Sequence, residues 1–249
     1  LLSCDLIEEI AEAMGAVCRQ RGVEFYFTLI TNGSLLTRRT AERLVHKGLR
    51  SVKITIDGPP EIHDRYRPFR SGAGSFQRIL NNVKQTADLA DIQVGGNYDR
   101  HTYRTFPRLL DRLQAEGLTP ERVPKVKFDP ISNRPEEDLG PTDYRSGCIS
   151  LHEQWVREAE AFLRAEILRR GYNTPKPGPL LCMVENRHAL VVNHDGALYK
   201  CPAFIGRPQF EVGRVTEGVL PKACDPYRTG IWKNAECREC CYLPLCFGG

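Results

Sequence analysis

The cysteines of the last seventy residues constrain this 249-residue chain more than any other feature. Seven of its ten cysteines lie from Cys182 onward. Five of those, with one glycine, follow an ordered spacing: Cys182-x13-Gly196-x4-Cys201, then Cys237-x2-Cys240-x5-Cys246. Two thiolates three residues apart can grip one metal from a single turn, while partners distant in sequence complete the site. Chance would scatter cysteines, so this grouping needs a chemical cause.

Three chemistries compete for these thiols. Disulfides suit small secreted chains with too little core, whereas 249 residues, 41% hydrophobic content and the lack of a signal-peptide pattern argue against them. Zinc sites usually pair two Cys-x2-Cys knuckles, or one knuckle with two histidines; here one knuckle is followed by a third cysteine six residues on. Thiolate-only ligation with uneven spacing fits iron–sulfur clusters better, with zinc left open. A reducing cytoplasm is the natural home for so many thiolates. Lys and Arg number 35 against 31 acidic residues, a net charge of +4 without a long basic block, which is not a nucleic-acid signature. Apolar runs such as residues 25–30 are too short to span a bilayer, so no membrane partner is expected.

Before the cysteines, helical and strand patterns alternate. Ser3 can cap a helix in which Leu6, Ile7, Ile10, Met14, Val17 and Cys18 recur at helical steps and which Gly22 ends; Cys4 and Cys18 read as its core thiols. Residues 25–30 read as a buried strand, 37–47 as a helix stopped by Gly48, and 52–56 as a strand halted at Asp57-Gly58-Pro59-Pro60. A helix over 75–89, a strand over 92–97, a helix over 102–117 and a strand over 123–131 follow. Strands alternating with helices predict parallel strands with crossover helices, in a βα barrel or a doubly wound sheet. Residues 132–147, rich in Pro, Asp, Glu and Gly, read as a linker or lid, and 149–170 as a long helix with a solvated charged face. Pro175, Pro177 and Pro179 mark a boundary. The expected domains are thus 1–147, a helix and linker over 148–179, and 180–249.

In a parallel βα barrel, functional groups sit at the C-terminal ends of the strands. Those ends carry Thr31-Asn32-Gly33, Asp57-Gly58, Asn97 and Asp129. Each alone is an ordinary turn former; together they make one polar rim.

The motifs carry a resemblance. The cysteine spacing resembles the SPASM domain, the auxiliary-cluster module of many radical S-adenosylmethionine enzymes. Thr-Asn-Gly-Ser-Leu-Leu at 31–36 is similar to the end of the third strand of their barrels. Residues 52–67 (VKITIDGPPEIHDRYR), with Gly72, Gly74 and Phe76, resemble the fourth-strand stretch Ser-x-Asp-Gly, His-Asp, Arg, Gly-x-Gly-x-Phe. The likeness covers most of the chain, residues 100–180 in pattern only. It implies an α/β fold: a partial (β/α)6 TIM-like radical S-adenosylmethionine barrel lacking its first strands, followed by a small cysteine-rich SPASM domain.

It also implies roles. Asn32, Thr55, Asp57, Arg67 and Asn97 would bind S-adenosylmethionine, with Thr55 where the family usually has Ser and Arg67 forming a bidentate fork to the cofactor carboxylate. His63 and Asp64 read as a turn-fixing hydrogen-bonding pair. Cys182, Cys201, Cys237, Cys240 and Cys246 would ligate auxiliary 4Fe-4S clusters, with His188 read as a surface residue and Cys224 and Cys241 fitting no family position. The family's Cys-x3-Cys-x2-Cys loop and Gly-Gly-Glu segment are absent from the sequence, and the next SPASM cysteine is expected just past Gly249. Both ends therefore read as truncated, and this fragment is expected to be inactive alone. The activity implied for the whole enzyme begins with reductive cleavage of S-adenosylmethionine and hydrogen abstraction from a peptide or protein substrate, with flavodoxin or ferredoxin as reductant. The sulfatase-maturating branch carries Asp after the second SPASM cysteine, where this chain has Pro202. That favours a maturase of a ribosomally made peptide, forming a thioether or carbon–carbon crosslink. The alternatives are a sulfatase-maturating enzyme, a zinc-stabilised α/β binding protein with structural cysteines, or a non-radical barrel enzyme with a structural cluster.

Overall fold

The computed structural model describes residues 1–131, 153–175, 182–186, 188–224, 235–241 and 243. The linker or lid expected over 132–147 and the first residues of the helix expected from 149 lie outside them, as does Cys246. The chain divides into two compact units, the first holding the described residues up to Pro175 and the second those from Cys182 on.

The first unit is organised by four parallel strands, β1 (Phe27–Thr31), β2 (Leu49–Thr55), β3 (Asp91–Tyr98) and β4 (Lys125–Pro130), hydrogen-bonded in chain order. Parallel neighbours in chain order require crossover helices, and the sequence supplies them: α1 (Cys4–Gln20) precedes β1, α2 (Arg38–His46) links β1 to β2, α3 (Pro60–Tyr66) and α4 (Phe76–Thr86) link β2 to β3, and α5 (Phe106–Ala115) links β3 to β4. Helix α6 (Gln154–Arg169) packs beside α5 and β4. The register sets Val52 beside Ile92 and Val94 beside Val126. These residues therefore share one face and are buried under Leu44, Ile79, Leu80, Val83, Leu109, Leu113, Leu163 and Ile167 of the helices.

The other face is polar. Thr28 Oγ1 and Ser51 Oγ bond across β1 and β2 at 2.8 Å, and Lys53 of β2 reaches Asp129 of β4 at 3.1 Å. Two glycines in β3 make both faces possible. A Cβ at Gly95 would stand 2.5 Å from Lys53 Cε, so the glycine lets Lys53 cross the strand; a Cβ at Gly96 would meet the Ile56 carbonyl and the Phe106 ring.

Several expectations shift. Residues 25–30 were expected as a buried strand, but β1 begins at Phe27, alternates, and leaves Ile30 72% exposed, because only one face of the sheet is covered by described helices. The apolar pattern of α1 does form a helix, yet Leu6, Ile10, Met14 and Val17 are exposed while Ala11 and Gly15 are buried. Ser3 precedes α1 without a side-chain cap bond, whereas Thr37 accepts from Thr40 N–H and caps α2. The two prolines at 59–60 stop β2 and also start α3, since a proline in the first helical turn lacks only an N–H that would have no intrahelical partner.

The second unit is built on a small antiparallel sheet, β5 (Val191–Val192), β6 (Ala197–Tyr199), β7 (Gly213–Arg214) and β8 (Gly218–Val219), in that order. Val184, Leu198, Tyr199, Phe204, Phe210 and Val212 form its core. A short helix, α7 (Ala235–Glu239), follows. The four described strands of the first unit form an open sheet, too few to close a barrel.

Candidate functional site

At the rim of the first unit, Asp57 continues the sheet where β2 stops. The last ladder bond runs from Ile56 N to Gly95 O at 2.7 Å. Beyond it, Asp57 Oδ1 accepts from Asn97 N at 2.7 Å and from Asn97 Nδ2 at 3.1 Å, so a side chain satisfies a backbone donor that the ladder no longer serves. Arg67 Nε donates to Asp57 Oδ2, an ion pair whose carboxylate is buried and whose guanidinium is partly exposed. Charge-assisted bonds of this kind orient a guanidinium and leave its remaining N–H groups for an anion.

The neighbouring pocket, about 100 Å³, is lined by Asn32, Ser34, Arg67, Pro68, Phe69, Ser75 and Ile79. It is smaller than a site for a whole cofactor and large enough for a carboxylate end. Asn32 Oδ1 is occupied within its own turn, accepting from Ser34 N at 3.0 Å and Ser34 Oγ at 2.9 Å. Asn82 of α4 donates through Nδ2 to the carbonyls of Gly33 at 2.8 Å and Ser34 at 3.0 Å, pinning that turn. Of the five residues expected to bind cofactor, the structure brings Asp57, Arg67 and Asn97 into one hydrogen-bonded chain and sets Asn32 in the pocket with Arg67. Thr55 stands half-buried on the polar face at the end of β2, outside that chain.

His63 and Asp64, expected to fix a turn as a pair, fix two different segments. Asp64 Oδ1 accepts from Phe76 N at 2.8 Å, at the start of α4. His63, with no solvent exposure, accepts at Nδ1 from Asp57 N at 3.0 Å and meets Ser75 Oγ at Nε2, 3.0 Å away. Burial pushes its pKa below the usual imidazole value, outweighing the nearby carboxylates of Asp57 and Asp64. Asp129, the fourth strand end, is bracketed by Lys53 at 3.1 Å and Lys127 at 2.7 Å on the polar face.

In the second unit, Cys182 precedes a 3-10 turn over Met183–Glu185, and Cys201 follows β6. Both thiols pack against the same small core, as does Cys224, which the spacing had left without a role. Cys237 lies on α7 and Cys240 one turn on, with Cys240 N donating to Cys237 O at 3.1 Å. His188 is exposed, and its backbone N–H bonds Asn186 Oδ1. Among the described residues no three His, Cys, Asp or Glu side chains converge as a metal-holding group. The thiols of Cys182, Cys201 and Cys224 on this core are donors of the kind a thiolate-ligated cluster takes; the set is incomplete within the described residues. Lys200, which no sequence pattern singled out, is 1% exposed. Its ammonium donates to Asn186 O at 2.6 Å and Ala189 O at 2.8 Å, tying the turn after Cys182 to the residue before Cys201.

No protein-family model matches the chain. It is similar to a cysteine-type anaerobic sulfatase-maturating enzyme of Clostridium novyi, with 23% identity covering 92% of this chain and 64% of that protein. It is also similar to the PqqA peptide cyclase of Rhizobium meliloti, with 26% identity covering 90% of this chain and 61% of the cyclase. The chain thus spans roughly three-fifths of the length of these curated relatives. Its fold matches a solved structure of anSMEcpe with bound AdoMet and the Cp18Cys peptide, at a TM-score of 0.61 and 18% identity, covering 97% of this chain and 71% of that one. Among the described residues no helix is long and apolar enough to cross a membrane.

Proposed function

We propose that the chain is part of a radical S-adenosylmethionine enzyme of the SPASM type, and that the protein containing it is a maturase that crosslinks a ribosomally made peptide; the likeness to sulfatase-maturating enzymes and to the PqqA peptide cyclase supports the reading. The observation that carries the reading is Arg67, gripped by Asp57 while lining one pocket with Asn32 at the strand ends. In this reading Arg67 holds the carboxylate of S-adenosylmethionine, Asn32 and Asn97 flank it, and Thr55 offers a hydroxyl from the polar face. Bound cofactor supplies, on one-electron reduction, a radical able to take a hydrogen atom from the peptide. The thiols of Cys182, Cys201, Cys237, Cys240 and Cys246 would hold auxiliary 4Fe-4S clusters, which would supply electron transfer. Flavodoxin or ferredoxin is the reductant, and the cytoplasm is the compartment that keeps these thiols reduced.

Maturation of a sulfatase is the second reading, favoured by the likeness to sulfatase-maturating enzymes. Pro202 speaks against it: it is exposed at the start of the 3-10 turn directly after Cys201 and has no side-chain group that could accept a proton. The test is to incubate the full-length protein, its clusters reconstituted, with S-adenosylmethionine, a reductant and a precursor peptide encoded beside its gene. Formation of 5'-deoxyadenosine together with loss of hydrogen from the peptide is the expected result. Oxidation of a sulfatase-derived cysteine or serine peptide to an aldehyde would establish the second reading, and no cofactor cleavage under either condition would overturn both.

A further inference from the structure

The residue that orders the rim is one that cannot touch a ligand. His63 lies in α3 with no exposure to solvent, and its two ring nitrogens face two different elements. Nδ1 accepts from the backbone N–H of Asp57, 3.0 Å away, so it carries no proton. The proton is then on Nε2, which donates to Ser75 Oγ at 3.0 Å; Ser75 in turn donates to the Arg67 carbonyl at 2.6 Å. The relay starts at Asp57 and ends at Arg67, the two members of the ion pair at the rim. The ring also stands edge-on to Phe76, at 5.9 Å between centroids, which holds its plane.

We infer that His63 is the positioning residue of this site, its neutral Nε2–H tautomer fixing the backbones of Asp57 and Arg67 so that the guanidinium enters the Asn32 pocket in one orientation. Protonation would place an N–H at Nδ1 against the N–H of Asp57, turning an attraction into a repulsion and releasing one end of the relay. The charged groups facing the ring are Asp57 at the end of β2, Asp64 on α3 and Arg67 just after it; α4 presents Ser75 and Phe76, which are neutral. The carboxylates favour protonation, while Arg67 and burial oppose it, burial most strongly. With the folded pKa below the unfolded one, the unfolded state takes up the proton first. The order His63 confers is therefore complete above the unfolded value and is lost as pH falls towards the folded one.

This inference rests on the assignment of Arg67 to S-adenosylmethionine, and the test separates the two. Affinity of the full-length, cluster-loaded protein for S-adenosylmethionine is measured by calorimetry at about pH 7.5 and at the lowest pH at which the protein stays folded, because burial moves the acid step of His63 to the low side of the ordinary imidazole value. Wild type is expected to weaken about tenfold or more on acidification, the ratio set by losing one buried hydrogen bond. His63→Gln, which cannot titrate but can donate to Ser75, is expected to bind more weakly than wild type at the higher pH and to lose the acid step. His63→Ala should bind more weakly still, also without the step. A His63→Gln protein with the wild-type acid step, or a His63→Ala protein with wild-type affinity, would overturn the inference. Absence of binding by wild type at either pH would instead overturn the cofactor assignment.

Discussion

Replacing Asp57 with alanine is expected to weaken S-adenosylmethionine binding about a hundredfold and to cost the first unit about 2–4 kcal/mol, the loss of several hydrogen bonds to one buried carboxylate. Both effects come from the position of that carboxylate, 6% exposed at the end of β2. Its Oδ2 anchors Arg67, and its Oδ1 serves the backbone and side-chain N–H groups of Asn97. Alanine leaves the half-buried N–H of Asn97 unpaired and Arg67 without its orienting partner. The partial exposure of Arg67 lets water recover some of that loss, which keeps the expected cost below that of a fully buried pair. Asp57→Asn retains an acceptor for Asn97 but not the charge, so it should keep most of the stability and still lose most of the affinity. Chemical denaturation beside calorimetry checks both; equal affinities for Asp57→Asn and wild type would remove Asp57 and Arg67 from the cofactor site.

Lys200→Met is expected to loosen the second unit selectively. Methionine fills the space of the lysine stem but cannot bond the carbonyls of Asn186 and Ala189. Asn186 O retains the Ala189 N–H at 3.2 Å, so the chief orphan is Ala189 O, at a cost of about 1–3 kcal/mol. Hydrogen exchange is the measurement that sees it. Amides of Glu185, Asn186 and Ala189, which close the turn after Cys182, should exchange about tenfold faster or more, while β2 and β3 of the first unit keep their protection. Because the same ammonium joins the segments of Cys182 and Cys201, the variant should also retain less iron. Unchanged exchange in that turn would show that Lys200 is a bystander.

Much of the first unit was legible because burial on one face writes itself as alternation. Val52, Ile54, Ile92 and Val94 recur at every second position, and the parallel register sets them side by side. The start of β1 was not legible, since Phe25 and Tyr26 look like strand residues and are used otherwise: Tyr26 lies under the Arg50 guanidinium, 3.8 Å from its ring centre, and Phe25 packs by Gly15 and Gly48. Helix α3 was hidden behind two prolines that read as a stop. At the rim, Asn32, Asp57 and Asn97 could be found from strand ends, and Arg67 from the resemblance of residues 52–67 to the family's fourth-strand stretch. The link between them could not, because His63 works through a backbone N–H and a backbone carbonyl, which leave no trace in residue identity. Asn82 and Lys200 were missed for the same reason: each bonds main-chain carbonyls of a distant segment.

The measurement that bears most directly on the central claim is the metal and sulfide content of the chain after anaerobic preparation, with iron, zinc and acid-labile sulfide counted together and repeated after Cys237 and Cys240 are replaced by alanine. Iron with matching sulfide, falling in the double variant, is the predicted result. Stoichiometric zinc without sulfide would contradict it and make the cysteine unit a structural binding module.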